Sequence, residues 1–298
     1  MDDAKLIKLT GANKQLLGLF KQRRREAEKE AEEFKKHFFK KEIRVLGISG
    51  SKRNPDDCSQ ESSTTEWLLD KCLNEAQKLG ANTKKLRLQD YDIQPCKGCY
   101  STTNTQCHYK CTCYPEGKFG DDMTNKLYDM CLWADVIVWA TPIQNFKISS
   151  LMGLFLDRLI SMDGSLRPAD INNVKNKDIN KKHTKFIELT ATNEFGSGFL
   201  RRFTGKIAGI IVSGHEVGAS LTISSLFMTL NQFGMLFPPF SSMYAINTVC
   251  ESTSTDTKAL RNKCHEDDAR LLARNLMAAA KIAKRKNDYW WHYAGGSN

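Results

Sequence analysis

The chain lacks long hydrophobic runs, and that absence excludes several classes of protein. No segment reaches the roughly 18 consecutive apolar residues that a membrane-spanning helix requires. The first residues also lack the apolar core of a secretory signal, and residues 1–41 contain seven Asp and Glu, whereas a mitochondrial transit peptide is poor in acids. We therefore expect no transmembrane segment and a cytoplasmic protein.

The composition does not indicate disorder either. Hydrophobic residues make up 41% of the 298 residues and charged residues 26%, which are ordinary globular values. Ten cysteines without an export signal indicate a reducing compartment, where thiols stay free or bind metal. Half of the formal charge of +10 comes from residues 1–41, with twelve Lys and Arg against seven acids. The rest of the chain is only mildly basic.

Residues 1–41 are predicted to form a basic N-terminal helical extension. Phe20, Ala27, Ala31, Phe34 and Phe38 recur at helical spacings within one helical segment over 5–41. A cluster at Lys21 and residues 23–25 could contact nucleic acid or an anionic membrane, but no aromatic or glycine-rich surface accompanies it. We expect a solvated or dimer-packing helix, and no binding of nucleic acid.

Residues 42–250 alternate apolar segments with helical patterns, and residues 251–298 form a C-terminal helix with an aromatic tail. Strands are predicted at 43–49, 85–88, 135–141, 207–213 and 243–246, and a long closing helix at 256–285. Because the strands are apolar throughout, they indicate a parallel sheet covered on both faces. A lysine- and asparagine-rich insertion interrupts the pattern at 170–185. Ligands of such sheets bind at the carboxyl ends of the strands.

The loop after the first strand has the composition of a phosphate site. Ser49-Gly50-Ser51-Lys52-Arg53 is followed by four hydroxyl residues, 62–65, at the start of a helix. Backbone amides, the helix dipole, hydroxyls and cations would all favour a monoester phosphate. It is neither a Walker loop nor a dinucleotide fingerprint. A serine-rich capped turn without a ligand remains the alternative.

Two further loops could line a flat heteroaromatic ligand. In residues 141–146, proline stiffens the loop while amide side chains offer hydrogen bonds. In residues 213–218, glycines allow a close approach of the backbone. We interpret His215 and Glu216 as contacts rather than as acid and base.

Taken together, the three loops resemble the NAD(P)H-dependent FMN reductase family of flavodoxin-like proteins over about residues 43–250. The resemblance is carried by residues 45–53, 63–69, the Cys96-Lys97-Gly98-Cys99 segment, and Thr141-Pro142-Ile143 leading to residues 156–159. It implies a flavodoxin-like three-layer α/β sandwich with a five-stranded parallel sheet. It also implies a homo-oligomer, either a dimer or a tetramer.

The resemblance assigns cofactor-binding roles but names no catalytic side chain, since FMN itself carries the redox chemistry. The phosphate of FMN would be held by Ser51, Arg53, Ser63, Thr64 and Thr65. The isoalloxazine ring would be met by Pro142, Ile143, Gln144, Asn145, Phe146, Gly214 and His215. Residues 55–61, which include two aspartates, lengthen the first loop beyond the usual family pattern.

A cluster of five cysteines lies between the second and third strands. Cys96, Cys99, Cys107, Cys111 and Cys113 fall within eighteen residues, with His108 among them. The Cys96-x-x-Cys99 spacing suits zinc or an iron–sulfur cluster. Iron–sulfur flavoproteins, a sister group, have a compact cysteine motif here, but with tighter spacing after the second cysteine. Structural thiols, a bound metal and a redox-active dithiol therefore all remain open.

Three hypotheses follow. The first is an FMN-dependent oxidoreductase that takes hydride from NAD(P)H and passes electrons to a flavin, a quinone or another small acceptor. The second is an iron–sulfur flavoprotein that carries electrons through the cysteine cluster. The third is a non-enzymatic flavodoxin-like interaction module.

Overall fold

The sheet has the strand order expected of a flavodoxin-like protein. A computed structural model describes residues 1–38, 42–99, 107–163, 167–190, 202–215, 217–247 and 253–285. Its strands are β1 (Ile43–Ser49), β2 (Ala81–Arg87), β3 (Val136–Gln144), β4 (Lys147–Ile148), β5 (Ile207–His215) and β6 (Ser242–Asn247). Five of them are parallel in the order β2-β1-β3-β5-β6, and β4 pairs antiparallel with the end of β3. The order reverses between β1 and β3, where such sheets bind ligands.

Helices cover both faces of the sheet, which confirms the three-layer prediction. On one face lie α3 (Thr64–Lys78) and α9 (Lys263–Arg285), whose leucines and alanines pack on β1 and β5. On the other lie α4 (Tyr128–Trp133), α5 (Ser150–Leu159) and α7 (Ala219–Gln232). All seven residues of β1 are buried because it lies inside the sheet and under both layers. Each fully buried Leu, Ile or Val contributes about 1.5–3 kcal/mol.

The N-terminal extension consists of two helices, so the prediction of one continuous helix was wrong. α1 (Asp3–Thr10) ends at Gly11, whose φ of 68° stops the helix, and α2 (Lys14–Phe38) follows. Both pack on α6 (Lys177–Thr190), a helix that the polar composition of the insertion had hidden. The shared apolar cluster includes Leu17, Phe20, Phe186 and Ile187, all buried.

The basic cluster of the extension is mostly engaged within the extension itself. Lys21 pairs with Asp3, Arg23 with Glu26 at 2.6 Å and Arg24 with Glu28 at 2.9 Å. Neighbouring acids therefore compensate three cations that could otherwise have formed an anion-binding surface.

The C-terminal segment also contains two helices instead of the single one predicted. α8 (Thr253–Leu260) ends before Asn262, whose side chain accepts a hydrogen bond from the His265 amide at 2.9 Å and so caps α9. The aromatic tail, 286–298, lies outside the described residues. Within the part of the chain that the structure covers, no helix is long and apolar enough to cross a membrane.

A buried ionic cluster lies at the amino ends of the strands, opposite the edge where ligands are expected. The Asp135 carboxylate accepts hydrogen bonds from the Arg44 side chain at 2.7 and 3.1 Å and pairs with Lys284 at 3.2 Å. Nearby, Lys206 is completely enclosed and donates to the carbonyl groups of Leu132 and Ala134. Burial lowers the pKa of Lys206 to about 7, although the charge of Asp135 opposes this effect.

Candidate functional site

A cleft of about 320 Å³ opens at the carboxyl ends of β1, β3 and β5. Loops that follow three parallel strands meet there because those ends share one edge of the sheet. The first loop and the start of α3 form one end of the cleft. The end of β3 and the end of β5 form the other.

The first loop is held in a tight turn by its own serines. Ser49 Oγ accepts from the amide of Ser51 at 3.3 Å, and Ser51 Oγ accepts from the amide of Arg53 at 3.2 Å. Ser63 caps α3 by accepting from the Glu66 amide at 3.2 Å. The amides of Thr64 and Thr65 belong to the first turn, where no intrahelical acceptor exists. This end of the cleft is therefore rich in donors and lies at the positive end of a helix dipole.

The extra residues of the first loop stay outside the cleft. Asn54 and Asp57 close a small turn through the Asp57 amide and the Asn54 carbonyl at 3.0 Å, and through the Asn54 amide and the Asp57 carboxylate at 3.1 Å. None of residues 54–62 lines the cleft. The insertion at 55–61 thus lengthens the loop without filling the site.

A hydroxyl pair joins the two ends of the cleft. Thr65 Oγ1 in α3 and Ser213 Oγ in β5 are 2.6 Å apart, and both residues are buried. Thr65 is therefore partly engaged by the protein itself.

Glycine is required where the chain after β5 approaches the end of β3. Gly214 has a φ of 141°, and a Cβ on it would lie 3.3 Å from the Ile143 Cβ. Gly218 has a φ of 95°, and a Cβ on it would lie 2.6 Å from the Phe146 Cα. Because real Cβ atoms do not approach backbone so closely, a larger residue at Gly218 would displace the β3–β4 turn.

Nine of the twelve expected cofactor-binding residues line this cleft. They are Ser51, Arg53, Ser63, Thr64, Thr65, Pro142, Ile143, Gln144 and Gly214.

Of the other three expected residues, Asn145 and Phe146 are not among the described residues that line the cleft. Asn145 and Phe146 form the tip of the β3–β4 turn with φ values of 50° and 65°, and Phe146 is 56% exposed. His215 ends β5, but its side chain and residue 216 lie outside the described part of the chain. The five clustered cysteines, which are the candidate metal ligands, are not among the described residues that line the cleft.

Sequence reasoning missed a fourth wall of the cleft, formed by the end of β6 and by α8. This wall consists of Asn247, Asp256, Thr257 and Leu260. Lys52 and Ser213 also line the cleft. Asp256 accepts from the Asn247 side chain at 2.9 Å. The position of this segment in the chain could have revealed it. A loop that follows the fifth parallel strand must lie at the same edge of the sheet as the loops after the other strands.

Two buried donor atoms, one on this wall and one beside Ser62, have no internal acceptor in the part of the chain that is described. Thr257 is 6% exposed and its Oγ1 has no hydrogen-bond partner. Arg261 donates to Ser62 at 2.6 and 2.8 Å, but its Nε is buried and unpartnered. Burial lowers the pKa of Arg261, the charge of Glu61 opposes this effect, and the charge of Arg53 adds to it. An anion bound in the cleft would satisfy the Thr257 hydroxyl.

A buried ion pair holds the chain just before the cysteine segment in place. Arg158 binds Asp121 through two hydrogen bonds at 2.7 and 2.8 Å and donates to the Gln94 carbonyl at 2.7 Å. Burial alone would raise the pKa of Asp121, but these hydrogen bonds lower it. The chain approaching Cys96 is thus fixed, whereas Cys96 itself is exposed.

Three of the five clustered cysteines form a contact network. The Sγ atoms of Cys99 and Cys113 are 2.9 Å apart and hydrogen-bonded rather than covalently joined. Hydrogen bonding to Cys113 lowers the pKa of Cys111 to about 6, against the effect of burial, and raises that of Cys113. Burial lowers the pKa of His108 to about 4. Among the described residues, no group of three or more Cys, His, Asp or Glu is arranged to hold a metal ion.

Fold and cleft together define a flavodoxin-like α/β protein with its site at the switch point of a parallel sheet. Residues 43–178 match the family model of NADPH-dependent FMN reductases. The match covers less than half of the chain, and over this segment the chain is similar to that family.

Two relatives and one solved structure are also similar to this chain. Two proteins of Archaeoglobus fulgidus named iron-sulfur flavoprotein are 31% and 30% identical to this chain over 115 and 118 residues, or 38% and 39% of it. The alignments span 49% and 48% of those relatives, about half of their length. RosB, solved with a bound 8-demethyl-8-formylriboflavin-5'-phosphate intermediate, superposes with a TM-score of 0.59 at 21% identity, covering 82% of this chain and 81% of RosB. This last likeness concerns the fold.

Proposed function

We propose that the chain is an FMN-dependent oxidoreductase whose cofactor lies in the cleft. The phosphate would be held by Ser51, Arg53, Ser63, Thr64 and Thr65, with Thr257 as an additional donor. The ring would lie against Pro142, Ile143, Gln144 and Gly214, with Asn145, Phe146 and His215 at its edge. The proposal rests on one observation above all: a donor-rich helix start and the unpartnered buried hydroxyl of Thr257 face a cleft at the switch point.

Its test separates phosphate binding from ring binding. Arg53 is exposed, and no hydrogen bond of its side chain is recorded among the described residues, so Arg53→Gln should not disturb folding. A charge-assisted hydrogen bond is worth about 1.5–3 kcal/mol, so the Kd for FMN should rise about 10- to 150-fold. The Kd for riboflavin, which has no phosphate, should stay the same.

The matched control is Arg270→Gln. Arg270 lies in α9 and pairs with Glu266, away from the cleft residues. It should leave both Kd values unchanged. Equal weakening of FMN and riboflavin by Arg53→Gln would remove the phosphate assignment, and failure of the wild-type protein to bind either flavin would leave the interaction-module hypothesis.

We further propose NAD(P)H as the reductant and a small molecule, such as a flavin or a quinone, as the acceptor. When bound, FMN supplies the redox chemistry, while the protein contributes binding and stacking distance. Mixing flavin-loaded protein with NADH or NADPH without oxygen should bleach the flavin absorbance, and the faster nucleotide identifies the physiological donor. No bleaching by either nucleotide would reject this reductant.

A second candidate is an iron–sulfur flavoprotein that carries electrons. Two matched relatives bear that name, and the sulfur network of Cys99, Cys111 and Cys113 is the observation in its favour. Protein purified without oxygen would then contain iron and sulfide in stoichiometric amounts with flavin. Flavin without iron would favour the first candidate.

We also propose that two copies of the chain associate through the α7 face. Residues 217–247 contain no charged side chain, although charged residues make up 26% of the chain. Leu221 and Met228 lie two helical turns apart and are 67% and 65% exposed, and Val217 is 47% exposed. A surface without charge offers nothing to a charged partner but does not repel its own copy. The face continues through Gly218 and Phe146 to the rim of the cleft.

Sedimentation velocity tests this association. Leu221→Glu with Met228→Glu should convert the oligomer to a monomer. The control is Leu271→Glu with Ile282→Glu, at two exposed residues of α9, which should leave the oligomer intact. A wild-type protein that is monomeric at micromolar concentration would contradict the proposal.

A further inference from the structure

A second cavity, of about 580 Å³, lies between α2, the cysteine segment and the chain that enters α6. Among the described residues, it shares no lining residue with the cleft. Its wall carries four cations. Arg23 pairs with Glu26 and Lys110 pairs with Asp129 at 3.1 Å, so Lys118 and Arg167 are the two that form no ion pair with a described acid. Glu116 is the one acid among its described lining residues, and it pairs with Lys110 at 3.5 Å. The cavity therefore favours small anions over cations.

One thiol faces this cavity. Cys111 is among the lining residues, beside apolar groups from Pro115, Ile171 and Val174. An anion that enters the cavity with an apolar portion would therefore approach a sulfur atom.

A close pair of sulfur atoms lies in the same cysteine segment as Cys111. Cys113 follows Cys111 by two residues, and its Sγ lies 2.9 Å from the Sγ of Cys99. Thiol–disulfide exchange proceeds by attack of one sulfur on another, so contact between successive sulfurs is its geometric requirement. The Cys99–Cys113 pair meets this requirement, and Cys111, which lines the cavity, is two residues from Cys113.

We propose that this cavity is a thiol–disulfide exchange site, in which Cys111 accepts oxidation from a small anionic disulfide and passes it to the Cys99–Cys113 pair. The centre is independent of the flavin cleft.

The exchange balances in three steps. Cys111 attacks one sulfur of the disulfide RSSR, forming a mixed disulfide and releasing RS⁻. Cys113 attacks the Cys111 sulfur, forming a bond between the two cysteines and releasing the second RS⁻. Cys99 then attacks the Cys113 sulfur, which leaves a Cys99–Cys113 disulfide and returns Cys111 as a thiolate. Two electrons reduce RSSR, and the two protons of Cys99 and Cys113 pass to the released thiolates.

The test compares two small disulfides of opposite charge on the full-length, reduced protein without oxygen. Oxidised glutathione is anionic and cystamine is cationic. The protein should consume oxidised glutathione at least about tenfold faster than cystamine, because the cavity cations attract the anion. Lys118→Glu with Arg167→Glu should reverse this preference, whereas Lys78→Glu with Lys281→Glu, far from the cavity, should not. Peptide mapping should find the Cys99–Cys113 disulfide.

Variants of the thiols identify the point of entry. Cys111→Ser should lower the rate with oxidised glutathione by at least about tenfold, to that of an ordinary exposed thiol. Cys58→Ser and Cys264→Ser remove exposed thiols elsewhere and should leave it unchanged. The proposal is overturned by equal rates for the two disulfides, by wild-type reactivity of Cys111→Ser, or by a stoichiometric metal or iron–sulfur cluster that occupies these cysteines in purified protein.

Discussion

Asp135 shows how one residue can hold several buried charges. Its carboxylate is 2% exposed and faces Arg44 and Lys284, which are 4% and 8% exposed, with Lys206 nearby. Desolvation makes such a cluster expensive, so its net contribution to stability is small compared with the cost of removing one partner. Loss of the carboxylate would leave buried cations with no counter-charge.

Asp135→Asn should therefore lower the free energy of unfolding by about 3–5 kcal/mol. The measurement is urea unfolding followed by circular dichroism. Asp70→Asn is the matched control, because Asp70 pairs with Lys85 at 2.8 Å on the surface, where such pairs contribute less than about 1 kcal/mol. Similar losses for both variants would mean that the buried cluster does not depend on Asp135.

At the scale of elements, the helical extension is held by a small apolar cluster of its own. Phe20 is fully buried and stacks on His183 at a centroid distance of 4.9 Å, with Phe186 at 5.7 Å. The cluster joins α1, α2 and α6 but includes no residue of the sheet. The extension should therefore open without unfolding the sheet.

Phe20→Ala should cost about 3–5 kcal/mol within this cluster. Hydrogen exchange should show the amides of α2 and α6 losing protection by about a hundredfold or more, while those of β1 and β3 keep theirs. Leu9→Ala, at a residue that is 44% exposed, is the control and should change neither. Equal loss in the sheet would show that the extension and the sheet unfold as one unit.

Elements differ in how much their sequence reveals. β1 was predicted with its bounds because a strand buried on both faces is apolar at nearly every position. α6 was missed because its buried residues, Asn180, His183, Phe186 and Ile187, are few and partly polar, and lie among lysines. The break at Asn262 was missed because a capping asparagine inside a periodic segment resembles an ordinary surface residue.

The cleft could be anticipated only in part. Three of its loops follow strands that were recognised, and the carboxyl ends of parallel strands meet at one edge. The wall formed by Asn247 and α8 depends on the position of β6 beside β5, which is a property of strand order and not of local pattern. Phe146 lies at the outside of the β3–β4 turn because Asn145 and Phe146 both have positive φ values, which reverse the direction of the chain.

At the scale of the whole molecule, two buried histidines couple stability to pH. His183 is 1% exposed and His108 is 3% exposed; burial lowers the pKa of His183 to about 3 and that of His108 to about 4, from an ordinary 6.5. Below pH 6.5 the two histidines therefore bind protons in the unfolded chain but stay neutral in the folded chain. The stability that these two histidines contribute is fully present above pH 6.5 and declines as the pH falls from there toward their folded-state pKa values.

Between pH 7 and pH 5, each histidine should cost about 2 kcal/mol of unfolding free energy. Urea midpoints measured across this range should fall, and the slope should be roughly halved in His183→Gln, whatever that variant's stability at pH 7. His265, which is not buried, provides the control: His265→Gln should leave the slope intact. A wild-type stability that is flat between pH 7 and pH 5 would contradict buried neutral histidines.

The packing of α1 and α2 on α6 has a consequence for synthesis. Between Phe38 and Lys177 lie 138 residues. At 5–20 residues per second, a ribosome needs roughly 7–28 seconds to make them. During that interval the apolar sides of α1 and α2 have no α6 to cover them, so these two helices can be buried only after the segment that contains α6 has been made.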